Sequence, residues 1–151
     1  MFFCGEKIAL VTGGGSGIGK ATAHRLAAEG ACVVVADLDG DRAHAVASAI
    51  GDEDVAVGVA ADISDEQAVQ AAIDTALLAY GGLDLVVNNA GLSLSKPLLD
   101  TTADDFDLQH RVMAKGSFLV SKAAARIMIA QGLGGDIVYI CSKNSIVAGP
   151  H

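Results

Sequence analysis

The chain runs to 151 residues, a length for one domain able to bury about 70% of its unfolded surface. Its 18 acidic residues outnumber 10 Lys and Arg, and the net charge of −8 excludes a nucleic-acid surface, which needs clustered cations. A phosphate ester is not excluded, because backbone N–H groups hold phosphate without side-chain charge.

Residues 7–19 read KIALVTGGGSGIG. Ile8 to Val11 form an apolar run without polar alternation, which predicts a buried parallel strand. Gly13, Gly14 and Gly15 then predict a tight turn with no side chains over the start of the next helix. From Ile18 the spacing Ile18, Thr22, Leu26 follows one helix face, with Gly30 as the C-cap. Strand, glycine turn and helix start together make an anion site, where free N–H groups and the helix dipole face one point. Its expected contacts are Gly13, Gly15, Ser16, Gly17, Ile18 and Gly19. The fingerprint G-x-G-x-x-G fails, because Ile18 stands at its third glycine. What the chain carries is Thr12-Gly13-x-x-x-Gly17-Ile18-Gly19, and a simple tight connection would also account for a glycine cluster.

Cys32 to Ala36 predict a second buried strand, ending in Asp37, 18 residues after Gly19. An acid near that separation accepts hydrogen bonds from the adenosine ribose of a dinucleotide. It also repels a 2′-phosphate: two unit charges about 4 Å apart at an effective dielectric near 20 cost about 4 kcal/mol. Asp37 therefore favours NAD over NADP. The plainer alternative is that it only begins the turn Asp37-Leu38-Asp39-Gly40. An Ala-rich helix over 41–50 follows, then a strand over 55–61 with Gly58 inside it. Ser64-x-x-Gln67 has capping-box spacing and predicts a helix reaching Tyr80. A fourth strand is expected over 83–88, a helix capped by Thr102, a long helical stretch to Gln131, and a fifth strand over 136–141. This alternation implies an α/β fold, a doubly wound parallel sheet with right-handed crossovers. Ligands of such sheets sit beyond the strand C-termini, where Gly13 to Gly19, Asp37, Asp62, Asn88 to Gly91 and Ser142 converge.

Thr12-Gly13-x-x-x-Gly17-Ile18-Gly19, Asp37, Asp62-Ile63 and Asn88-Asn89-Ala90-Gly91 come in order, each at the end of a successive strand. Together they resemble the short-chain dehydrogenase/reductase family over essentially the whole chain, but only over the N-terminal part of the family's usual length. The resemblance implies a Rossmann fold holding NAD, with residues 1–151 as an incomplete NAD-binding domain truncated after the fifth strand. It places adenine on Asp62 and Ile63, and lets Asn89, Ala90 and Gly91 bring backbone against the cofactor.

The resemblance also implies hydride transfer between nicotinamide and a small-molecule alcohol or carbonyl. In the family a Tyr exchanges the proton, a Lys lowers that Tyr's pKa, a Ser steadies the substrate oxygen and an Asn helps hold a relay water. The strand ending Ile140-Cys141-Ser142 aligns with the family's catalytic segment and gives Ser142 that serine's role. Tyr139-x-x-x-Lys143 fits the Tyr/Lys pattern only literally. Residues four apart are neighbours on a helix, but about 13 Å apart on a strand. The family's Tyr/Lys segment is thus expected to be absent, and the fragment inactive alone. Its Asn position holds Met113, whose sulfur is too weak an acceptor to place a water. Lys143 and Asn144 are the polar candidates to take over, or else belong to a solvated loop.

Gly116 to Val120, Gly132 to Asp136 and Ser142 to Asn144 are similar to a narrower group. These are the dehydrogenase halves of bifunctional proteins with an aldolase domain ahead, acting on rhamnulose 1-phosphate and lactaldehyde. That likeness points to a small hydroxyaldehyde or sugar-derived alcohol as substrate. The stretch from Phe106 to Gln131 carries more apolar residues than one inner face takes, so a homo-oligomer, or burial under a further segment, is expected. Cys4, Cys32 and Cys141 lack metal-ligand spacing and are expected as unpaired thiols, with no metal site. No apolar run reaches a membrane span and Met1 to Cys4 is too short for a signal peptide, so a cytoplasmic protein without a membrane partner is expected. A non-catalytic dinucleotide sensor, or a scaffold with a vestigial site, are the readings from other classes.

Overall fold

The computed structural model describes residues 7–142. Strands β1 (Ile8–Thr12), β2 (Cys32–Asp37), β3 (Ala56–Ala60), β4 (Leu85–Asn88) and β5 (Asp136–Tyr139) form one sheet in the order β3-β2-β1-β4-β5. Every pairing is parallel. This is the doubly wound Rossmann topology, in which strand order reverses beside β1 and leaves a crevice at the strand C-termini. The apolar runs explain it. Leu10, Val34 and Val86 point into one layer, and Val11, Val33 and Val35 into the other, all essentially inaccessible. A strand apolar on both faces is stable only with helices on both sides.

Helices α1 (Gly17–Ala28) and α2 (Gly40–Ile50) cover one face. On the other lie α3 (Glu66–Tyr80) and α5 (Ser117–Gln131), which α4 (Ala103–Gln109) precedes. Small side chains permit close packing. A Cβ on Gly58 of β3 would lie 2.6 Å from the His44 backbone of α2, so only glycine allows this helix–strand contact.

Element ends depart from the expected ones by a residue or two, for local reasons. The cap of α3 is Asp65, not Ser64: the Asp65 carboxylate accepts from the Ala68 N–H, while the Ser64 N–H is already held by Asp62. Glu29 is the cap residue of α1, and Gly30 follows it. Gly30 N–H reaches the Ala27 carbonyl and Ala31 N–H the Leu26 carbonyl, which closes the helix as a Schellman turn. Leu83 stays outside β4 because its N–H and carbonyl are both clamped by the Gln131 side chain, at 2.9 and 3.1 Å. β3 spans Ala56–Ala60 rather than 55–61, and β5 stops at Tyr139, although the Ile140 N–H still bonds Asn88.

The long helical stretch is continuous to Gln131, but residues His110–Gly116 wind as a π-helix. Gly116 sits where a Cβ would be 2.7 Å from Ile63, so the wider winding brings this backbone onto the loop after β3. Within α5, Leu119, Val120, Ala124 and Met128 are buried. Phe106, Phe118 and Ile129 face outward, so the excess apolar residues form a second, uncovered face. Cys32 is half-buried and Cys141 exposed, while Cys4 lies outside the described residues. No helix among the described residues is long and apolar enough to cross a membrane.

Two outcomes test this packing. Gly58→Ala should lower stability by roughly 1–3 kcal/mol through overpacking, read as a lower urea midpoint with unchanged slope. Asp105 completes the Thr102 capping box, and the Lys96 ammonium at 2.7 Å, with the Thr102 N–H, pulls its carboxyl down to about 2. A depressed carboxylate stabilises above its ordinary range, so the contribution should fade as pH falls from about 4 to about 2. Asp105→Asn should flatten that limb of the acid titration.

Candidate functional site

The crevice is built around Thr12, the buried last residue of β1. Its hydroxyl donates to the Val87 carbonyl at 3.3 Å and accepts the N–H groups of Asn89 and Ala90, both at 3.1 Å. The Asn89 side-chain amide returns two bonds, to the carbonyls of Thr12 at 3.0 Å and Gly13 at 3.1 Å. The glycine turn after β1 is thereby fastened to the loop after β4.

This fastening leaves no space on the inner side. A Cβ on Gly19 would stand 2.2 Å from the Gly13 carbonyl oxygen, so α1 begins in direct contact with the turn. Gly17 is the converse: its φ is +52° and nothing lies within 4 Å of a Cβ built there. Side-chain oxygens cap α2, α3 and α4, whereas Ser16 at the α1 N-cap makes no such bond. The first N–H groups of α1 therefore face the crevice with the positive end of the helix dipole, which suits an anion.

Asp37, at the C-terminus of β2, holds the rim. One carboxylate oxygen accepts the Gly15 N–H at 2.9 Å and the other the Asp39 N–H at 3.0 Å. Two lone pairs remain for hydroxyl donors. Asp62 follows β3 and accepts the Ser64 N–H at 2.8 Å. That amide, then the Ser64 hydroxyl, holds its carboxyl below the usual range; Arg111 and Lys115 add to the effect and burial opposes it. Beside it Ile63 is buried beneath Gly116.

These groups enclose a cavity of about 420 Å³. Of the residues expected at the cofactor, Gly13, Ser16, Gly17, Ile18, Asp37, Asp62, Ile63, Asn89, Ala90 and Gly91 line it. Gly15 and Gly19 do not; they act from behind, through the Asp37 bond and the turn contact. Leu38, Ala61, Leu92 and Val112 also line it and were not foreseen. Leu38 had a signal, an apolar side chain in the turn after Asp37. Val112 had none, because its place depends on the π winding.

A second cavity, of about 480 Å³, adjoins the first across Asn89, Ala90 and Gly91. Ser142 and Cys141 stand on one side of it, Met113, Ala114 and Ser117 on the other. Met113 is thus on the wall of the cavity that holds Ser142. Tyr139 belongs to β5, so the Tyr139/Lys143 spacing cannot put two side chains on one helix face. Lys143 and Asn144 lie outside the described residues. Asn88 and Tyr139 line this cavity and are hydrogen-bonded through Ser121, a group that sequence spacing could not show.

The tightest test of the turn is Gly19→Ala. Within a helix this exchange normally stabilises by about 1 kcal/mol, yet here the new Cβ must displace the Gly13 carbonyl. A net loss of roughly 1–3 kcal/mol in urea denaturation is expected. Gly17→Ala should cost only the left-handed backbone, roughly 1–2 kcal/mol.

Comparison with known proteins gives the same direction. The model of the short chain dehydrogenase family matches residues 7–151. The uncharacterized oxidoreductase YuxG of Bacillus subtilis strain 168 is 45% identical over an alignment of 147 residues that covers 95% of this chain and 21% of YuxG. D-threitol dehydrogenase of Mycolicibacterium smegmatis is 37% identical over an alignment of 143 residues that covers 94% of this chain and 55% of that enzyme. The crystal structure of 3-ketoacyl-(acyl-carrier-protein) reductase from Brucella melitensis complexed with NADH superposes with a TM-score of 0.90. It is 36% identical and is matched over 95% of this chain and 60% of that one. The chain thus spans less than two thirds of each of these relatives, and by fold, turn and family match it belongs to the short-chain dehydrogenases.

Proposed function

We propose that this chain holds NAD(H) for an oxidoreductase acting on an alcohol or carbonyl compound. The observation that carries the reading is the crevice itself: uncapped N–H groups of α1, a bare Gly17, and Asp37 fixed at the rim by two backbone bonds. Such a cradle fits a dinucleotide. Ser16 to Ile18 would take the pyrophosphate, Asp37 the ribose hydroxyls, Asp62 and Ile63 the adenine. The Brucella relative, complexed with NADH, supports the assignment. When bound, the coenzyme supplies or accepts a hydride at its nicotinamide ring.

The residues of this chain do the rest by position. Asn89, Ala90 and Gly91, shared by both cavities, lead from the adenosine side to the side of Ser142. Ser142 steadies the substrate oxygen in this reading. Met113 cannot orient a water by a strong hydrogen bond. The chain has two tyrosines, and neither suits as general acid/base. Tyr80 ends α3 bonded to the Glu53 carbonyl at 3.0 Å, with its hydroxyl pushed up to about 12, first by burial, then by Cys32 and by the carboxylates of Asp54, Asp52 and Glu53. Tyr139 lies in β5.

The narrower likeness to dehydrogenase halves joined to an aldolase, with a small hydroxyaldehyde or sugar-derived alcohol as substrate, is part of the proposal. It is supported by length: an alignment of 147 residues covers 21% of YuxG, whereas one of 143 covers 55% of D-threitol dehydrogenase, so YuxG is more than twice as long. The outward face of Phe118 and Ile129 supports assembly into a homo-oligomer, which sedimentation at several concentrations tests; a strict monomer overturns it.

NADH fluorescence should titrate to saturation, with NADPH at least tenfold weaker because its 2′-phosphate meets the Asp37 charge. Asp37→Ala should weaken NADH and close that gap. A titration with no saturable change would overturn the cofactor reading.

A further inference from the structure

The rim of the crevice sets a cation, Arg42, beside the carboxylate of Asp37. Asp37 accepts the Asp39 N–H on one oxygen at 3.0 Å and the Gly15 N–H on the other at 2.9 Å. Asp39 in turn holds Arg42 by both of its oxygens. One accepts the Arg42 N–H at 3.1 Å and so caps α2, and the other meets the Arg42 Nε at 3.0 Å. The guanidinium is thereby turned to Asp39, although Asp37 stands close by. Arg42 Cβ and Asp37 Oδ2 each lie 2.9 Å from the point where a Cβ on Gly15 would stand, so at most twice that distance separates them. The arginine stem and its planar fork of donors span such a gap, and a carboxylate is what that fork matches best.

The choice between the two carboxylates matters for the crevice. A guanidinium on Asp37 would take up the lone pairs left for ribose hydroxyls and cancel the charge that repels a 2′-phosphate. The Asp39–Arg42 pair adds little to stability, since its side chains are 46% and 66% exposed and water screens it. Its effect lies in which acid Arg42 meets.

We propose that Asp39 is a positioning residue for the coenzyme: it holds Arg42 away from Asp37 and so keeps the rim carboxylate open and negative. The inference rests on the NAD(H) reading and deepens it. Discrimination against the 2′-phosphate then belongs to Asp37, Asp39 and Arg42 together, although Asp37 alone would touch the ribose.

Fluorescence titration of the chain with NADH and with NADPH tests this. Asp39→Asn keeps the cap, because an amide oxygen still accepts the Arg42 N–H, but it gives up the ion pair. NADH should then bind about threefold weaker and its preference over NADPH should shrink about threefold, the scale on which one exposed ion pair biases an arginine. Asp39→Ser, which also caps, should do the same, so the outcome does not hang on one variant folding. Adding Arg42→Gln to Asp39→Asn removes the released guanidinium, and should restore NADH affinity and the preference to within about twofold of the unaltered chain. An unchanged preference in Asp39→Asn overturns the proposal. A preference that stays low in the double variant overturns it too, because the loss would then come from the Asp39 charge or a disturbed turn and not from Arg42. Equal binding of NADH and NADPH to the unaltered chain does so as well, and needs no variant to fold. Failure of the unaltered chain to bind NADH overturns the coenzyme reading and this inference with it, whereas saturable NADH binding with any of the other three outcomes overturns this inference alone.

Discussion

The hydrogen-bond exchange between Thr12 and Asn89 is the constraint on which the crevice depends. Five bonds meet there: one from the Thr12 hydroxyl, two into it, and two from the Asn89 amide. The threonine hydroxyl has one proton and two lone pairs, and all are used. Each bond contributes about 1 kcal/mol net, but the cost of losing them is asymmetric. A valine of the same shape would leave the Asn89 and Ala90 N–H groups without their acceptor. The residues joined are more than 70 apart in sequence, so the clamp forms only once β1 and β4 are side by side. It therefore converts sheet pairing into a fixed shape for the turn.

From that shape the electrostatics follow. A chain of charge −8 is a poor host for a diphosphate if side chains must supply the attraction. The parallel sheet removes this difficulty by ending its strands at helix starts, where N–H groups are unpaired by geometry rather than by composition. Asp37 then serves in two ways. Its bonds to Gly15 and Asp39 hold the turn, and in the proposed cofactor reading its charge at the rim would discriminate between phosphorylated and free ribose. An amide in its place could still accept, but it would not repel.

Much of this was legible in the sequence because local chemistry and global fold agree. The runs Ile8 to Val11 and Cys32 to Ala36 lack polar alternation, so their double burial follows directly. The glycine spacing marks where backbone must approach backbone, and Gly13 and Gly19 do so. The cap of α3 was misplaced by one residue because Ser64 and Asp65 both suit the position, and only the Asp62 bond to Ser64 decides between them. The π segment was not legible at all. His110 to Lys115 hold no proline or glycine, and the winding is set by tertiary contact rather than propensity. The Asn88, Ser121 and Tyr139 group was hidden for the same reason, since its members come from three elements.

The π segment also contributes to the walls of both cavities. Neighbouring residues in it face different spaces: Val112 lines the dinucleotide crevice, Met113 and Ala114 the cavity of Ser142. Gly116 ends the segment against Ile63, where no side chain could be accommodated without displacing the wall beside Asp62. The loop after β3, the π segment and the Asn89 to Gly91 loop are thus packed as one unit. The wall beside Asp62 and the wall of the Ser142 cavity are thus built on one stretch of backbone, His110 to Gly116.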